Sequence, residues 1–122
     1  MFLGTHTPKL DEKGRFFLPA KFRDELDDGL VITRGQDRCL AIYPTETFVE
    51  MTREIAKGSV SVKKVRDYQR MLAAGASDTA PDKQGRVMIP PMLRRYAALN
   101  KEIVVVGAVS YTHLRAHETD SY

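Results

Sequence analysis

The sequence contains a single cysteine, Cys39, among its 122 residues. One thiol cannot form an internal disulfide, and it cannot supply the thiolate cluster of a structural zinc site. Its surroundings, "RCLAIY", have the apolar character of a buried strand. We therefore predict that Cys39 is a small core residue rather than a reactive thiol.

Long hydrophobic runs are also absent. No stretch approaches the roughly 18 consecutive apolar residues of a transmembrane helix. The opening "MFLGTHTPKLDEKGR" has neither the basic start nor the apolar run of a signal peptide. The sequence therefore predicts a cytoplasmic protein with no membrane partner.

The sequence lacks the motifs of common enzyme classes. It contains no Walker glycine motif and no dinucleotide-binding glycine motif. The best catalytic candidates, Asp11, Asp82, His6 and Cys39, form no pattern of nucleophile, base and orienting group. We therefore predict no enzymatic activity, no cofactor and no small-molecule substrate.

Charge of one sign is only slightly in excess. The 19 Lys and Arg residues against 16 Asp and Glu give a net charge of +3. This balance permits a polyanionic partner but does not require one. The length, with 43% hydrophobic and 29% charged residues, suits one compact unit or two very small ones.

One short pattern is present twice. Residues 10–23 read "LDEKGRFFLPAKFR", and residues 81–94 read "PDKQGRVMIPPMLR". Both contain Asp-x-x-Gly-Arg, three apolar residues and a proline. A repeat of this kind predicts two copies of one supersecondary unit.

Each copy predicts a turn, a strand, a short helix and a second strand. The turns span 11–14 and 82–85, because aspartate accepts hydrogen bonds from nearby N–H groups and glycine adopts positive φ. Proline starts each helix, where its missing N–H costs little. The closing strands are predicted at 30–35 and 101–107. The helical arginines predicted to face solvent are Arg23, Arg94 and Arg95.

Two helices are predicted between the copies. A capping box at Thr47–Glu50 starts the first, and Gly58 ends it. Ser61 caps the second, which ends at Gly75. Its inward residues are predicted to be Val62, Val65, Tyr68 and Leu72, and its basic face of Lys63, Lys64, Arg66 and Arg70 is predicted to be solvated. The stretch 75–81 is predicted to be a flexible joint.

The paired motifs resemble the two repeats of the bacterial MraZ family, which belongs to the swapped-hairpin AbrB/SpoVT superfamily. The resemblance covers Met1 to about Val109 and includes "VVVGAVS" near its end. It implies an α+β fold made of a tandem, pseudo-two-fold pair of swapped-hairpin AbrB-like β units with short helices. The implied boundaries are a first repeat at 1–57, a connecting helix at 58–75, a truncated second repeat at 76–109 and a tail at 110–122.

The resemblance also implies a function. Members of the family are cytoplasmic, nucleoid-associated transcriptional regulators that form ring-shaped homo-oligomers. They bind repeated promoter sites in double-stranded DNA upstream of the division and cell-wall gene cluster. An alternative is an AbrB-like protein-interaction or antitoxin-type scaffold, although that class usually carries one such unit and this chain carries two.

Residue by residue, the motif's arginines correspond to Arg15 and Arg86. We predict that both contact DNA, because a guanidinium can pair with guanine O6 and N7 or with a phosphate. Flexible lysines beside the turns, Lys13 and Lys83, are predicted to contact phosphates. The residues assigned to turn formation are Asp11, Gly14, Asp82 and Gly85.

The second motif departs from the family pattern at Pro81. An apolar strand residue is expected there, and proline removes a donor from a strand ladder. We therefore predict that the chain enters the second motif differently from the first.

A larger departure follows Val109, where the chain reads "SYTHLRAHETDSY" in place of an expected strand and helix. Residues 110–119 resemble a translated sequencing-library adaptor, so we predict a non-native tail without a regular element. Without the expected last strand, the second repeat would have an exposed apolar sheet edge at 103–106. His113 and His117 have the spacing of a helical metal pair, but no further ligands accompany them, and we predict no metal site.

Overall fold

The computed structural model describes residues 1–58 and 61–117. Within them the chain is a mixed α+β structure with antiparallel strands and short helices. The strands are β1 (Thr5–His6), β2 (Arg15–Phe17), β3 (Leu30–Arg34), β4 (Leu40–Pro44), β5 (Ser77–Thr79), β6 (Arg86–Met88), β7 (Ile103–Gly107) and β8 (Thr112–Ala116). The helices are α1 (Ala20–Leu26), α2 (Thr45–Ala56), α3 (Val62–Ala74) and α4 (Pro91–Tyr96).

Six strands form one antiparallel sheet in the order β1-β7-β8-β4-β3-β5. Strands from the first and second halves of the chain are therefore neighbours in the same sheet. The runs of Val, Ile and Leu in β3 and β7 are buried, as expected for β-branched residues at the centre of a covered sheet. Neither half builds this sheet by itself.

The remaining two strands, β2 and β6, pair with each other in a separate two-stranded ribbon. Each comes from one copy of the repeated motif, so the two motifs are hydrogen-bonded directly to one another. Phe16 lies opposite Val87 at the centre of the ribbon, and both side chains are buried. Because side chains alternate along a strand, the residues on either side of this pair face outward.

The ribbon is closed at both ends by backbone hydrogen bonds. The Leu18 N–H donates to the Gly85 carbonyl at 3.0 Å, and the Ile89 N–H donates to the Gly14 carbonyl at 2.8 Å. The turn glycine of each motif thus accepts a bond from the strand end of the other motif.

The helices after the two strands pack their apolar residues into one shared core. Phe22 and Leu26 of α1 are fully buried, and Leu93 of α4 is nearly so. The Phe22 ring meets the Phe2 ring edge-on, with 5.2 Å between centroids. A single hydrophobic cluster therefore joins both motifs and the N-terminal segment.

The central helices differ in part from the sequence prediction. Ser61 caps α3 as predicted, because its hydroxyl accepts from the Lys64 N–H at 3.2 Å. The predicted capping box at Thr47–Glu50 is wrong, since α2 begins at Thr45, directly after Pro44, without a side-chain cap. Pro44 is both the last residue of β4 and the N-cap of α2, so the helix starts three residues earlier than the predicted capping box would start it.

Two residues of α3 predicted to face inward are exposed. Val62 is 70% exposed and Tyr68 is 46% exposed, whereas Val65 is buried as predicted. The reason is that α3 packs chiefly against α2, which covers only a narrow stripe of its surface.

The stretch 75–81 is not a flexible joint, and that prediction is wrong. Residues 77–79 form β5, which pairs antiparallel with β3 from Leu30↔Thr79 to Ile32↔Ser77. Without β5, the outer edge of β3 would present unpaired N–H and C=O groups. The ladder bonds outweigh the turn-forming composition of this segment.

The expectation of an irregular tail and an open edge at 103–106 is also wrong. Strand β8 pairs with β7 on one side and with β4 on the other. Thr112 and Leu114 are fully buried, because the residues of "THLRA" alternate between core and solvent. The non-native origin of the tail is a separate question and stays a prediction.

Candidate nucleic-acid interface

The first turn is organised by the Asp11 carboxylate. Its Oδ1 accepts from the Lys13 N–H at 2.9 Å and from the Arg15 N–H at 2.8 Å, and its Oδ2 accepts from Arg15 Nε at 2.7 Å. Gly14 completes the turn with a φ of +80°, where a side chain would be strained. One carboxylate therefore fixes both the backbone of the turn and the arginine that follows it.

The second turn repeats these contacts. Asp82 Oδ1 accepts from the Gln84 and Arg86 N–H groups, each at 2.9 Å, and Oδ2 accepts from Arg86 Nε at 2.8 Å. The φ of Gly85 is +81°. The two turns agree in every donor and acceptor of the Asp-x-x-Gly-Arg pattern.

The chain enters the two turns differently. Leu10 is buried, and its N–H donates to the Lys101 carbonyl at 2.8 Å. Pro81 stands at the matching position and has no N–H to donate. The effect of Pro81 thus ends before the turn, and Arg86 is held as Arg15 is held.

Both arginines are held in a fixed orientation by one nitrogen of the guanidinium group. Each guanidinium donates through Nε to its aspartate, and its terminal nitrogens make no hydrogen bond to residues 1–58 or 61–117. The side chains are 28% exposed at Arg15 and 23% exposed at Arg86. A guanidinium fixed in this way can donate two parallel hydrogen bonds to a planar acceptor without first losing much side-chain entropy.

Both arginines lie on the same face of the ribbon. Arg15 is directly opposite Met88, and Arg86 is directly opposite Phe17. We call the surface formed by Arg15, Phe17, Arg86 and Met88 the outer ribbon face. Phe17 and Met88 are 54% and 46% exposed, so two cations and two apolar groups stand side by side on it. The repeated motif predicts Phe17 and Met88 only as strand residues, although their alternation with Phe16 and Val87 indicates that they face outward.

The lysines predicted to contact phosphates lie beside this face. Lys13 and Lys83 are exposed at the second and first central positions of their turns. Within the described part of the chain, neither side chain is in an ion pair. Their ammonium groups are therefore available to a polyanion on either flank of the ribbon.

Arg23 and Arg94 are not solvent-facing, and that prediction is wrong. A Cβ built on Gly14 would lie 2.6 Å from Arg94 Cζ, and one built on Gly85 would lie 2.6 Å from Arg23 Cζ. Each turn is thus covered by an arginine from the helix of the other motif. The sequence shows that an arginine occupies the same helical position in both copies. It does not show that each arginine contacts the turn of the other copy. Arg95 is exposed, as predicted.

The turn carboxylates have lowered pKa values. The backbone N–H of Arg15 is the largest cause of the fall in the pKa of Asp11. Desolvation opposes this fall, and the Arg15 side chain, the Lys13 N–H and the arginine charge add to it. The pKa of Asp82 is lowered by the same set of contacts, led by the backbone N–H of Arg86. Both groups are therefore held in the charged state.

Acidification is expected to loosen both turns together. A carboxylate with a lowered folded pKa contributes stability that is fully present above the unfolded value, about 3.9 for aspartate, and is lost as the pH falls through the folded value. NMR titration of the side-chain carboxyl carbons should therefore place Asp11 and Asp82 below that value. The Asp11→Asn, Asp82→Asn variant should lose this part of the acid dependence of unfolding. A midpoint at or above the ordinary value for either group would contradict the geometry.

Other candidate groups do not assemble into a site. His113 lies on β8 and His117 directly after it, rather than on a helix, and four steps along extended chain place their Cα atoms about 13 Å apart. Burial raises the pKa of the Cys39 thiol, whose Sγ donates to the Asp37 carbonyl at 3.4 Å. Among residues 1–58 and 61–117, no three His, Cys, Asp or Glu side chains lie where they could hold a metal ion. In the same residues, no helix has the length and apolar character needed to cross a bilayer.

Comparisons with known proteins agree in one family. The chain matches the family model described as "MraZ protein, putative antitoxin-like" over residues 1–71 and 72–118. A relative from Cutibacterium acnes, named "Transcriptional regulator MraZ", is 98% identical over 110 residues, which are 90% of this chain and 78% of the relative. Proteins of the same name from Kineococcus radiotolerans and Thermobifida fusca are 58% and 57% identical over 108 residues, covering 88% of this chain and 76% of each relative.

Proposed function

Because the chain belongs to the MraZ family, we propose that it is a transcriptional regulator that reads double-stranded promoter DNA with the outer ribbon face. The relatives' names support the regulatory role. A two-stranded ribbon fits the width of the major groove, where base edges carry an unambiguous pattern of donors and acceptors. The proposal assigns this face to the groove floor.

The observation that carries the proposal is that Arg15 and Arg86 are held in the same way in the two motifs. Each is held through Nε by its own turn aspartate at 2.7 or 2.8 Å. Each keeps its terminal nitrogens for a ligand and lies on the same face as the other. Two forks with the same geometry can read two guanines, or a guanine and a phosphate, in one groove.

The lysines have a separate role in the proposal. Lys13 and Lys83 extend from the turn tips and contact phosphates on either side of the groove. Such contacts set the position of the ribbon but carry no base information. Arg23 and Arg94 support the opposite turns from behind.

The finer features of the fold form part of the same proposal. We take the two repeats, 1–57 and 76–109 with 58–75 between them, to be swapped hairpins related by a pseudo-two-fold axis through the β2–β6 pair. The reciprocal bonds of Leu18 and Ile89 to Gly85 and Gly14 support this relation. The tail from Ser110 onward is proposed to be non-native, because it reads as a translated adaptor; the family match itself extends to residue 118.

A homo-oligomeric ring would present several outer ribbon faces at once. Each additional face that engages DNA binds in an effectively intramolecular step, so repeated sites with matching spacing gain affinity by avidity. We propose that these sites lie in promoter DNA upstream of the division and cell-wall gene cluster, and that the protein is cytoplasmic and nucleoid-associated.

The competing function is an AbrB-like interaction or antitoxin-type scaffold. The exposure of Phe17 and Met88 beside the arginines is the observation that favours it, because apolar groups ringed by charge also suit a protein partner. In that case the face would bind protein and would not distinguish DNA sequences.

Fluorescence anisotropy on the full chain tests the proposal. The probes are the fragment upstream of its own gene and a shuffled fragment of equal composition, each at two salt concentrations. We expect the upstream fragment to bind tighter by about 10³-fold or more, as specific readers do. Affinity for both fragments should fall with salt, with a log–log slope of about −1.8 per engaged subunit from Lys13 and Lys83 alone.

The opposite result would favour the scaffold. A folded chain that binds neither fragment, or binds both equally, does not read promoter sequence through this face. Circular dichroism on the same samples establishes that the chain is folded.

A further inference from the structure

The outer ribbon face carries two apolar side chains that the proposed arginine contacts leave unused. Phe17 and Met88 are 54% and 46% exposed, so both side chains are accessible to a ligand of this face. They come from the two different motifs and occupy one diagonal of the face, while the arginines occupy the other. Their exposure is built into the ribbon, because Phe16 and Val87 fill the inward positions.

The spacing of the four side chains is set by the strand pairing. Bonds from Leu18 to Gly85 and from Ile89 to Gly14 bracket the ribbon. In this register Arg15–Met88 and Phe17–Arg86 are the non-hydrogen-bonded pairs, whose side chains lie closest together. Each apolar group therefore adjoins an arginine, and diagonal partners are roughly 7–8 Å apart.

The partner that suits this arrangement is polyanionic with apolar groups on its surface. Neighbouring exposed apolar groups that are flanked by charged side chains are typical of a surface that contacts a partner. In the major groove, acceptors of guanine lie beside the C5-methyl group of thymine, which is the one apolar feature of the base edges. A phenylalanine or methionine next to a guanine-reading arginine is thus placed to cover a neighbouring methyl group.

We propose that Phe17 and Met88 are specificity-determining residues that recognise thymine C5-methyl groups adjacent to the positions read by Arg15 and Arg86. This inference rests on the proposed DNA-reading function and extends it from guanine to thymine. Burial of each methyl group against an aromatic or thioether side chain supplies the discrimination. The arginines supply orientation and the charge that brings the face to DNA.

The test replaces thymine by uracil in the upstream fragment, which removes only the methyl groups. The fragment is prepared once with dTTP and once with dUTP, together with the shuffled control. We expect the parent chain to bind the uracil form about fourfold more weakly for each methyl group lost from a contact, the effect of burying one carbon.

Three variants identify the residues responsible. The Phe17→Ala, Met88→Ala variant should bind the thymine and uracil forms equally, with the salt slope of the parent, because its arginines and lysines are unchanged. The matched control is Met92→Ala, which removes a methionine that is 72% exposed on α4 and should retain the full uracil penalty. Phe17→Leu should retain part of the uracil penalty, because an apolar contact remains at this position.

The outcomes separate this inference from the proposed function. If the chain prefers the upstream fragment but shows no uracil penalty, the proposed function stands and the proposed methyl contact is overturned. A penalty that persists in Phe17→Ala, Met88→Ala would overturn it too, since the methyl groups would then act elsewhere. No preference for the upstream fragment would overturn both. A change of oligomeric state in the double variant without DNA, measured by sedimentation, would assign the two side chains to a subunit contact and overturn the inference.

Discussion

The Arg15→Ala, Arg86→Ala variant is expected to lose the preference for the upstream fragment while keeping weak, salt-dependent binding to any DNA. A good bidentate arginine–guanine pair discriminates against other bases by about 1–3 kcal/mol. Two such pairs in one subunit therefore account for about 2–6 kcal/mol, which is roughly 30-fold to 10⁴-fold in affinity. Anisotropy titrations with the upstream and shuffled fragments measure the loss directly.

The variant should stay folded, so the loss can be read as a binding effect. Each arginine contributes one solvent-accessible ion pair with its aspartate, and such pairs are worth about 0–1 kcal/mol. The carboxylates of Asp11 and Asp82 keep their backbone donors when the arginine side chains are removed. Thermal unfolding of parent and variant verifies this.

Two control variants separate geometry from charge. Arg15→Lys, Arg86→Lys keeps the charge but replaces the planar fork by a point charge, so it should keep the salt slope and lose the sequence preference. Lys63→Ala, Arg66→Ala removes two charges from the exposed face of α3 and should keep the preference. If the α3 variant weakens binding as much as the alanine variant, net charge explains the effect and the outer ribbon face is not the reader.

The turns could be predicted because their physics is local. Every bond that the Asp11 and Asp82 carboxylates make joins residues no more than four positions apart. The pattern of aspartate, glycine and arginine contains all the donors and acceptors involved, and a matching pattern elsewhere in the chain had to fold in the same way. The alternation of buried and exposed positions in β2 and β6 is equally local.

The pairing between distant segments could not be predicted. Nothing in β2 by itself indicates that its partner is β6, and the covering of Gly14 by Arg94 follows only from that pairing. The same limitation explains the errors at β5 and β8. The composition of each segment predicts irregular structure, whereas each forms a strand because it pairs with the edge of a neighbouring strand. Loop-like composition does not keep a segment from adding to a sheet that presents unpaired backbone groups.

Replacing Phe22 by alanine is expected to lower the free energy of unfolding by about 3–5 kcal/mol, the usual cost of a buried phenylalanine. Phe22 is fully buried, and its ring meets Phe2 at 5.2 Å and His6 at 5.3 Å in edge-on contacts. The loss is a large part of the roughly 5–15 kcal/mol that stabilises a typical domain. Urea denaturation should show a lower midpoint with an unchanged slope.

The neighbouring Lys21→Ala is the control, because Lys21 is exposed on the same helix and its removal should change stability by no more than about 0.5 kcal/mol.

The Phe22 variant should also affect the turn of the other motif, because the helix of each motif contacts the turn of the other. Arg23, the next residue of α1, lies against Gly85 and so supports the second turn rather than the first. Hydrogen exchange under native conditions should therefore accelerate more at the Arg86 amide than at the Arg15 amide. Equal acceleration at both would mean that only global unfolding has changed, and faster exchange in the first turn alone would contradict the reciprocal support of the two motifs.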